Sequence, residues 1–191
     1  MKLVFATNNP NKLSEIKSLV PAGIEILSLK DINCNEELPE TNPTLKENAL
    51  QKAKYVFDNY GFNCFADDTG LEIEALGDEP GVYSARYAGE DCSAEDNMKK
   101  VLDKLEGEKE KSAKFRTVIA LIIEGEETFF EGECKGRMTE TKSGEEGFGY
   151  DPIFTPEGYE ITFAKMSKVE KGAISHRGKA VKKLVGFLST N

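Results

Sequence analysis

The sequence has no long apolar run and no cluster of cysteine and histidine residues. No stretch approaches the ~20 apolar residues of a membrane-spanning helix. The opening MKLVFATNNP soon becomes polar and lacks the apolar length and cleavage site of a secretory signal, which predicts the first strand of a cytoplasmic domain. The 4 cysteines form no CxxC pair and the chain has 1 histidine. A structural zinc site is therefore not expected, and the cysteines should be reduced thiols.

Positive charge is scarce as well. With 25 Lys and Arg against 34 Asp and Glu, the formal net charge is −9 at pH 7. This argues against a general nucleic-acid binder, which neutralises phosphates with a basic surface. A small anionic ligand in a local basic pocket is still compatible with it. The length of 191 residues, 39% hydrophobic and 31% charged, predicts one soluble globular domain over residues 1–191.

Apolar spacing predicts interleaved strands and helices, and hence an α/β or α+β class with a mixed sheet. Strands are expected at 2–6, at 24–29, on both sides of a tight turn at Thr69–Gly70 within 63–76, and as an antiparallel pair in 114–139 joined at Gly125. Helices are expected from Leu13 to Pro21, from a cap at Thr44 (or at Asn42, before Pro43) to Gly61, around Met98–Leu105, and over most of 168–188.

Two adjacent aspartates, Asp67 and Asp68, stand in the stretch FADDTGL. Adjacent like charges repel, and partial burial disfavours ionisation. One interpretation is a turn in which an aspartate hydrogen-bonds its own backbone, and the local sequence alone favours it. The other is a magnesium site, because a hard cation takes carboxylate oxygens and would cancel the repulsion.

Three further stretches could contact an anionic nucleotide. TNNPNK, with Lys12, lies between a predicted strand and a helix start, where free N–H groups suit a phosphate, although a solvated loop is the alternative. GEEGFGYD places Phe148 between glycines, where the ring could stack on a base or belong to the core. KGAISHRGK gathers cations but fails the P-loop spacing, and Ala180 replaces the Ser or Thr; it is either a solvated face or an anion contact.

Together these stretches resemble one family. TNNPNK at 7–12, FADDTGLEIEALGDEPGVYSARYAGE at 65–90, GFGYDPIF at 147–154 and ISHRGKA at 174–180 are similar, in this order, to the inosine-triphosphate pyrophosphatase (Ham1) family of dITP/XTP pyrophosphatases. The resemblance implies Mg²⁺-dependent hydrolysis of dITP, ITP and XTP to the monophosphate and pyrophosphate, which clears deaminated purines from the nucleotide pool. It also implies a single elongated α/β domain with a mixed twisted sheet, two lobes and a central substrate cleft. The expected assembly is a homodimer, without nucleic-acid or membrane partners.

The resemblance also assigns roles to individual residues. Asp68 matches a general base and metal ligand, Glu40 a second metal ligand, and Asp67 the acidic neighbour. Thr69 stands where many relatives have Ser. The positions that match substrate contacts are Thr7, Asn8, Asn9, Pro10, Asn11, Lys12, Lys52, Thr69, Phe148, Gly149, Tyr150, Asp151, Lys171, His176 and Arg177.

Two rival functions are weaker on the same residues. A nucleotide-binding sensor or scaffold without turnover would be favoured by the loss of an acidic metal ligand, and none is lost. A Maf-like pyrophosphatase for other nucleotides fits the SHR and FGYD segments poorly. Discrimination is expected at the base. An Arg177 that donates to the 6-keto oxygen of hypoxanthine or xanthine would meet a second donor in adenine.

Overall fold

A computed structural model of the chain describes residues 1–190. The strands are β1 (Lys2–Phe5), β2 (Glu25–Leu27), β3 (Cys64–Ile73), β4 (Glu79–Gly81), β5 (Ser112–Ile123), β6 (Glu126–Met138) and β7 (Phe154–Pro156). The helices are α1 (Pro10–Leu19), α2 (Leu45–Tyr60), α3 (Ala94–Lys104), α4 (Lys168–Ile174) and α5 (His176–Thr190). Among residues 1–190, no helix is long and apolar enough to cross a membrane.

The strands form one mixed sheet of seven strands. Its order is β2-β1-β3-β5-β6-β7, and β4 pairs with β3 beside this path. β1 runs parallel to both β2 and β3, with Val4 opposite Cys64, whereas the β3–β4 and β6–β7 pairs are antiparallel. The predicted mixed α/β class is confirmed.

Two compact units can be distinguished along the chain. Unit 1 comprises 1–68, 117–132 and the chain from Arg177 onward, and unit 2 comprises 69–116 and 133–176. The assignment of residues 1–191 to a single domain stays a prediction.

Side-chain alternation along the strands builds two apolar layers in unit 1. Val4 and Ala66 pack in one cluster with Ala53 of α2. Phe5 and Phe65 lie in a second cluster with residues of α1 and α5, and their rings stack at a centroid distance of 4.7 Å. Because successive strand residues point to opposite faces, even-numbered positions around 66 on β3 face α2, and odd-numbered positions face α1 and α5.

Unit 2 has its own core around a group of aromatic rings. Phe115 packs edge-on against Phe154 with centroids 4.7 Å apart, and it also packs against Phe163 at 6.1 Å. Met98 and Val101 of α3 belong to the same buried cluster. The short helix predicted around Met98 is therefore confirmed and is anchored by its apolar face.

The two ends of α2 lie at the capping residues that the sequence predicts. Thr44 is the N-cap of α2, and its side chain accepts from the Glu47 N–H, so the rival start at Asn42 is wrong. Gly61 ends α2 in the left-handed region, with φ of 70°. Glycine adopts this conformation without the steric cost that a Cβ brings.

Two predictions about turns were wrong. β3 is continuous from Cys64 to Ile73, so Thr69–Gly70 is not a turn. Gly70 serves close packing instead: a Cβ there would lie 2.8 Å from the Gly81 carbonyl oxygen of β4. The predicted loop at 7–12 also ends early, since α1 already begins at Pro10, where the fixed φ of proline suits the first helical position.

Candidate active site

Asp67 faces α1 and α5 and is wholly buried between two cations. Its Oδ1 accepts from Lys12 Nζ at 3.0 Å and its Oδ2 from Arg177 Nε at 3.0 Å. Arg177 is 2% exposed, and its Nη1 donates to Glu15 Oε2 at 2.5 Å. Burial opposes ionisation, yet Lys12, Arg177 and Lys52 hold the pKa of Asp67 well below its usual range. Asp67 is therefore a buried carboxylate with its charge balanced inside the protein.

Asp68 faces the other side of the strand, toward α2, and is 6% exposed. Burial raises the pKa of Asp68, Lys52 and Lys12 oppose the rise, and Glu40 adds to it. Lys52 of α2 donates to the Asp67 backbone oxygen at 2.7 Å and forms an ion pair with Glu40. Burial disfavours the charge of Lys52, but Asp68 and Glu40 hold its pKa above the usual value.

The alternation of β3 explains how the chain carries two adjacent aspartates. Lys12 and Arg177 neutralise Asp67 on one face, while Asp68 lies with Lys52 and Glu40 on the other. A divalent cation is therefore not needed for Asp67. Its repulsion with Asp68 is offset by protein cations, which the local sequence could not show.

Two carboxylates could hold a metal ion. Among residues 1–190, no group of three or more His, Cys, Asp or Glu side chains is arranged to do so. Glu40 is ion-paired with Lys52, whose ammonium also donates to the backbone oxygen of Asp67, the residue before Asp68, so Glu40 and Asp68 supply two hard oxygen donors near one lysine. Mg²⁺ is commonly held by one or two carboxylates with phosphate oxygens and water. The donor set therefore fits Mg²⁺ bound together with a phosphate ligand.

The start of α1 differs from the predicted phosphate site with free N–H groups. Asn9 is the N-cap, and its Oδ1 accepts from the N–H groups of Asn11 and Lys12 at 2.9 and 3.2 Å. Pro10 has no N–H, and Thr7 Oγ1 accepts from Asn9 N at 3.2 Å. The expectation of free N–H groups was therefore wrong for Asn11 and Lys12. Anion binding here would depend on the Lys12 ammonium and the helix dipole.

In unit 2, the loop around Phe148 is held by Asp151. Asp151 Oδ2 accepts from the Phe148 N–H at 2.9 Å and from Lys171 Nζ at 2.7 Å. The Lys171 ammonium also lies 5.0 Å from the centroid of the Phe148 ring. Gly147 and Gly149 on either side have φ of 78° and 62°. The structure thus brings Phe148, Asp151 and Lys171 together within unit 2.

Two other predicted contacts in unit 2 belong to its core. The Tyr150 ring is buried, and its hydroxyl donates to the Ser84 backbone oxygen at 2.6 Å. Burial raises the pKa of Tyr150, so the phenol is neutral. The His176 ring stacks on Phe115 at 4.7 Å and is also buried. Both rings pack within the core of unit 2. Thr69, the first residue of unit 2, is half-buried.

Sequence reasoning missed Glu15, the acidic partner of Arg177. A signal was present, because Glu15 follows Lys12 by three positions and the two therefore lie on one face of α1. The same face thus carries one cation and one anion toward the buried pair of Asp67 and Arg177.

The fold and these residues define a mixed α/β protein with a buried site of paired carboxylates and cations. The model of the Ham1 family matches residues 3–187, and the chain belongs to the Ham1 family.

Curated relatives and solved structures agree over nearly the whole chain. The dITP/XTP pyrophosphatase of Flavobacterium johnsoniae is 57% identical over 189 residues, covering 99% of this chain and 98% of the relative. The protein of the same name from Christiangramia forsetii is 56% identical, covering 99% and 100%. The Staphylococcus aureus Ham1 protein superposes with a TM-score of 0.89 at 38% identity, covering 100% and 99%. A HAM1 protein from Coxiella burnetii superposes with a TM-score of 0.90 at 35% identity, and the match covers 100% of both chains.

Proposed function

We propose that the protein hydrolyses dITP, ITP and XTP to the corresponding monophosphate and pyrophosphate, and so removes deaminated purines from the nucleotide pool. The observation that carries this proposal is the 57% identity, over 99% of the chain, to a protein named dITP/XTP pyrophosphatase. The buried carboxylates and cations of unit 1 support it, because phosphoryl transfer relies on positioning and charge stabilisation.

The phosphate chemistry is assigned to unit 1. Asp68 accepts a proton from the water that attacks the α-phosphorus in line with the leaving pyrophosphate. The burial that raises the pKa of Asp68 brings this base closer to neutral pH than an exposed aspartate. The ammonium groups of Lys12 and Lys52 offset the charge that develops on the leaving group.

The metal is proposed to be Mg²⁺, held by Glu40 and Asp68. When bound, it would polarise the phosphates and offset their charge. Glu40 is paired with Lys52, so the ammonium group keeps this carboxylate ionised and available as an oxygen donor.

The base is assigned to the Phe148 loop. The Phe148 ring provides a stacking face, and Asp151 and Lys171 hold the loop through the Phe148 N–H and an ion pair. Arg177 is the donor that the family resemblance suggests for the 6-keto oxygen of hypoxanthine or xanthine. This donor would face the amino group of adenine, a mismatch that can cost orders of magnitude in rate.

We propose two further features, assembly as a homodimer and action in the cytoplasm, where the nucleotide pool lies. The family resemblance alone supports the first, and the N-terminal stretch and the scattered cysteines support the second. Sedimentation or light scattering of the purified protein would measure the first.

Pyrophosphate release from dITP, ITP, XTP, dUTP, GTP and ATP, with and without Mg²⁺, tests the proposal. We expect the kcat/KM for dITP, ITP and XTP to exceed that for ATP by at least ~100-fold, with no turnover when EDTA removes the metal. Tight binding of ITP without turnover would support a nucleotide sensor instead. Equal rates with ATP or dUTP would contradict the assigned substrate class.

A further inference from the structure

Glu40 lies in a segment that regular secondary structure does not hold. Residues 33–44 contain neither helix nor strand. A metal ligand on such a segment must be ordered by other contacts, because ordering it only at the moment of binding would cost affinity. The relevant question is therefore which side chains fix the backbone on the two sides of Glu40.

On the N-terminal side, Asn8 holds the segment. Its Oδ1 accepts from the Leu38 N–H at 2.9 Å, and its Nδ2 donates to the Glu36 backbone oxygen at 3.0 Å. Leu38 is itself buried in the cluster that α2 covers. The amide of Asn8 is thus used within the protein, on the backbone two residues before Glu40.

On the C-terminal side, two amides of α2 hold the segment. Gln51 Oε1 accepts from the Thr41 N–H at 3.0 Å and from Asn42 Nδ2 at 2.8 Å, and Gln51 Nε2 donates to Thr41 Oγ1 at 2.9 Å. Asn48 Oδ1 accepts from the Asn42 N–H at 2.8 Å. The residue directly after Gln51 is Lys52, the partner of Glu40.

Asn48 accepts a hydrogen bond from Asn42 through its side-chain amide but leaves the donor group of this amide unsatisfied among the described residues. Its side chain is wholly buried, and its Nδ2 has no hydrogen-bond partner within residues 1–190. A buried donor without an acceptor destabilises a fold, so an apolar side chain would suit the interior better. The hydrogen bond that Asn48 Oδ1 accepts from the Asn42 N–H is the contact that an apolar side chain at this position could not make.

We propose that Asn8, Asn48 and Gln51 form an amide clamp that positions Glu40 for the divalent cation. The proposal rests on the proposed function, because it takes Glu40 as a metal ligand. The clamp residues act through Glu40, because their amides bind backbone and side-chain groups of residues 36–42 and not Glu40 itself. Groups that orient metal ligands in this way typically change metal affinity by ~10–100-fold when they are removed.

Gln51→Met is the test variant, since methionine is similar in length, is a good helix former and removes all three hydrogen bonds. Asn59→Met is the matched control: it lies on the same helix, and its amide donates to Tyr55 O within that helix. Mn²⁺ alone is titrated into each protein without nucleotide, and free Mn²⁺ is read by electron paramagnetic resonance. We expect the Kd for Mn²⁺ to rise ~10-fold in Gln51→Met and to stay unchanged in Asn59→Met.

A second readout separates positioning from a merely structural role. The Mg²⁺ concentration that half-saturates ITP hydrolysis should rise by ~10-fold in Gln51→Met, with kcat recovering at saturating Mg²⁺. In a Glu40→Gln background, Gln51→Met should weaken Mn²⁺ binding no further, because both changes act on one ligand. If Gln51→Met does not fold, Asn42→Ala removes one of the same bonds and should show a smaller shift in the same direction.

Two outcomes would overturn the proposal, and they differ. If Glu40→Gln weakens Mn²⁺ binding while Gln51→Met behaves like Asn59→Met, the clamp is wrong and the proposed function stands. If Glu40→Gln leaves Mn²⁺ binding unchanged, Glu40 is not a metal ligand. The metal assignment of the proposed function then fails together with the clamp.

Discussion

Replacing Asp67 with asparagine should destabilise the fold far more than the loss of a surface charge. Asp67 is wholly buried and accepts from Lys12 Nζ and Arg177 Nε, both at 3.0 Å. An amide keeps one acceptor oxygen but turns an NH₂ group toward the other cation. One buried cation therefore loses its hydrogen-bond acceptor, and both lose the carboxylate charge.

The magnitude follows from this burial. Removing one partner of a buried ion pair typically costs about 3–5 kcal/mol, because the remaining charge is left uncompensated. Glu15 still pairs with Arg177 in the variant, so the contribution of Arg177 to the loss of stability should lie at the lower end of this range. With a urea m-value of about 2 kcal/mol/M, a loss of about 3–5 kcal/mol shifts the unfolding midpoint by about 1.5–2.5 M.

Urea unfolding followed by circular dichroism at pH 7 measures the shift, with Asp103→Asn as the control. Asp103 makes an exposed ion pair with Lys99 on α3, and exposed pairs of this kind contribute little to stability. Because the pKa of Asp67 is lower folded than unfolded, its stabilisation is fully present above the unfolded value of about 3.9. The difference in unfolding midpoint between the wild type and Asp67→Asn should therefore become smaller as the pH falls below that value. An Asp67→Asn midpoint equal to that of Asp103→Asn would refute the assignment of a buried, charge-balanced carboxylate.

The other predictions concern the chemistry and the loop of unit 2. Asp68→Asn should lower kcat for ITP by at least ~10³-fold with nucleotide binding largely kept; near-normal turnover would contradict the role of the base. Burial raises the pKa of Asp68, so the acid limb of the kcat/KM–pH profile should lie at a higher pH than an ordinary aspartate gives. Added Mg²⁺ should move this acid limb to lower pH. An acid limb at the ordinary aspartate pKa that does not respond to Mg²⁺ would contradict the assignment of Asp68 as the base. Gly147→Ala would place its Cβ on Asp151 Oδ2, whereas Gly149→Ala meets no heavy atom within 4 Å. Both substitutions should cost about 1–2 kcal/mol of stability because both glycines have a positive φ, but Gly147→Ala should raise the KM for ITP at least ~10-fold more than Gly149→Ala; equal KM values would argue against Asp151 as the support of the loop. Burial raises the pKa of Cys64 to about 12, so iodoacetamide at pH 8 should leave it unmodified in the folded protein, and mass spectrometry would detect the contrary.

Features fixed by neighbouring residues were predictable from the sequence. Thr44 and Gly61 mark the ends of α2 because capping depends on the chemistry of a few adjacent positions. The hairpin between β5 and β6 was placed correctly at Gly125, which has φ of 88°.

Features set by distant contacts were not predictable. Gly70 was interpreted as a turn residue because its reason for being glycine, the carbonyl of Gly81 on β4, is apparent only once the strands pair. The two aspartates were interpreted as a crowded pair for a similar reason. Arg177, the partner of Asp67, lies 110 positions away in sequence, and local patterns carry no information on that contact.

The most direct test of the account is the fate of the oxygen atom from water during ITP hydrolysis. The reaction is run in H₂¹⁸O with Mg²⁺, and the products are separated and analysed by mass spectrometry. Attack on the α-phosphorus predicts IMP that carries one ¹⁸O atom and pyrophosphate that carries none. Label in the pyrophosphate, or release of IDP with labelled inorganic phosphate, would contradict the proposed reaction.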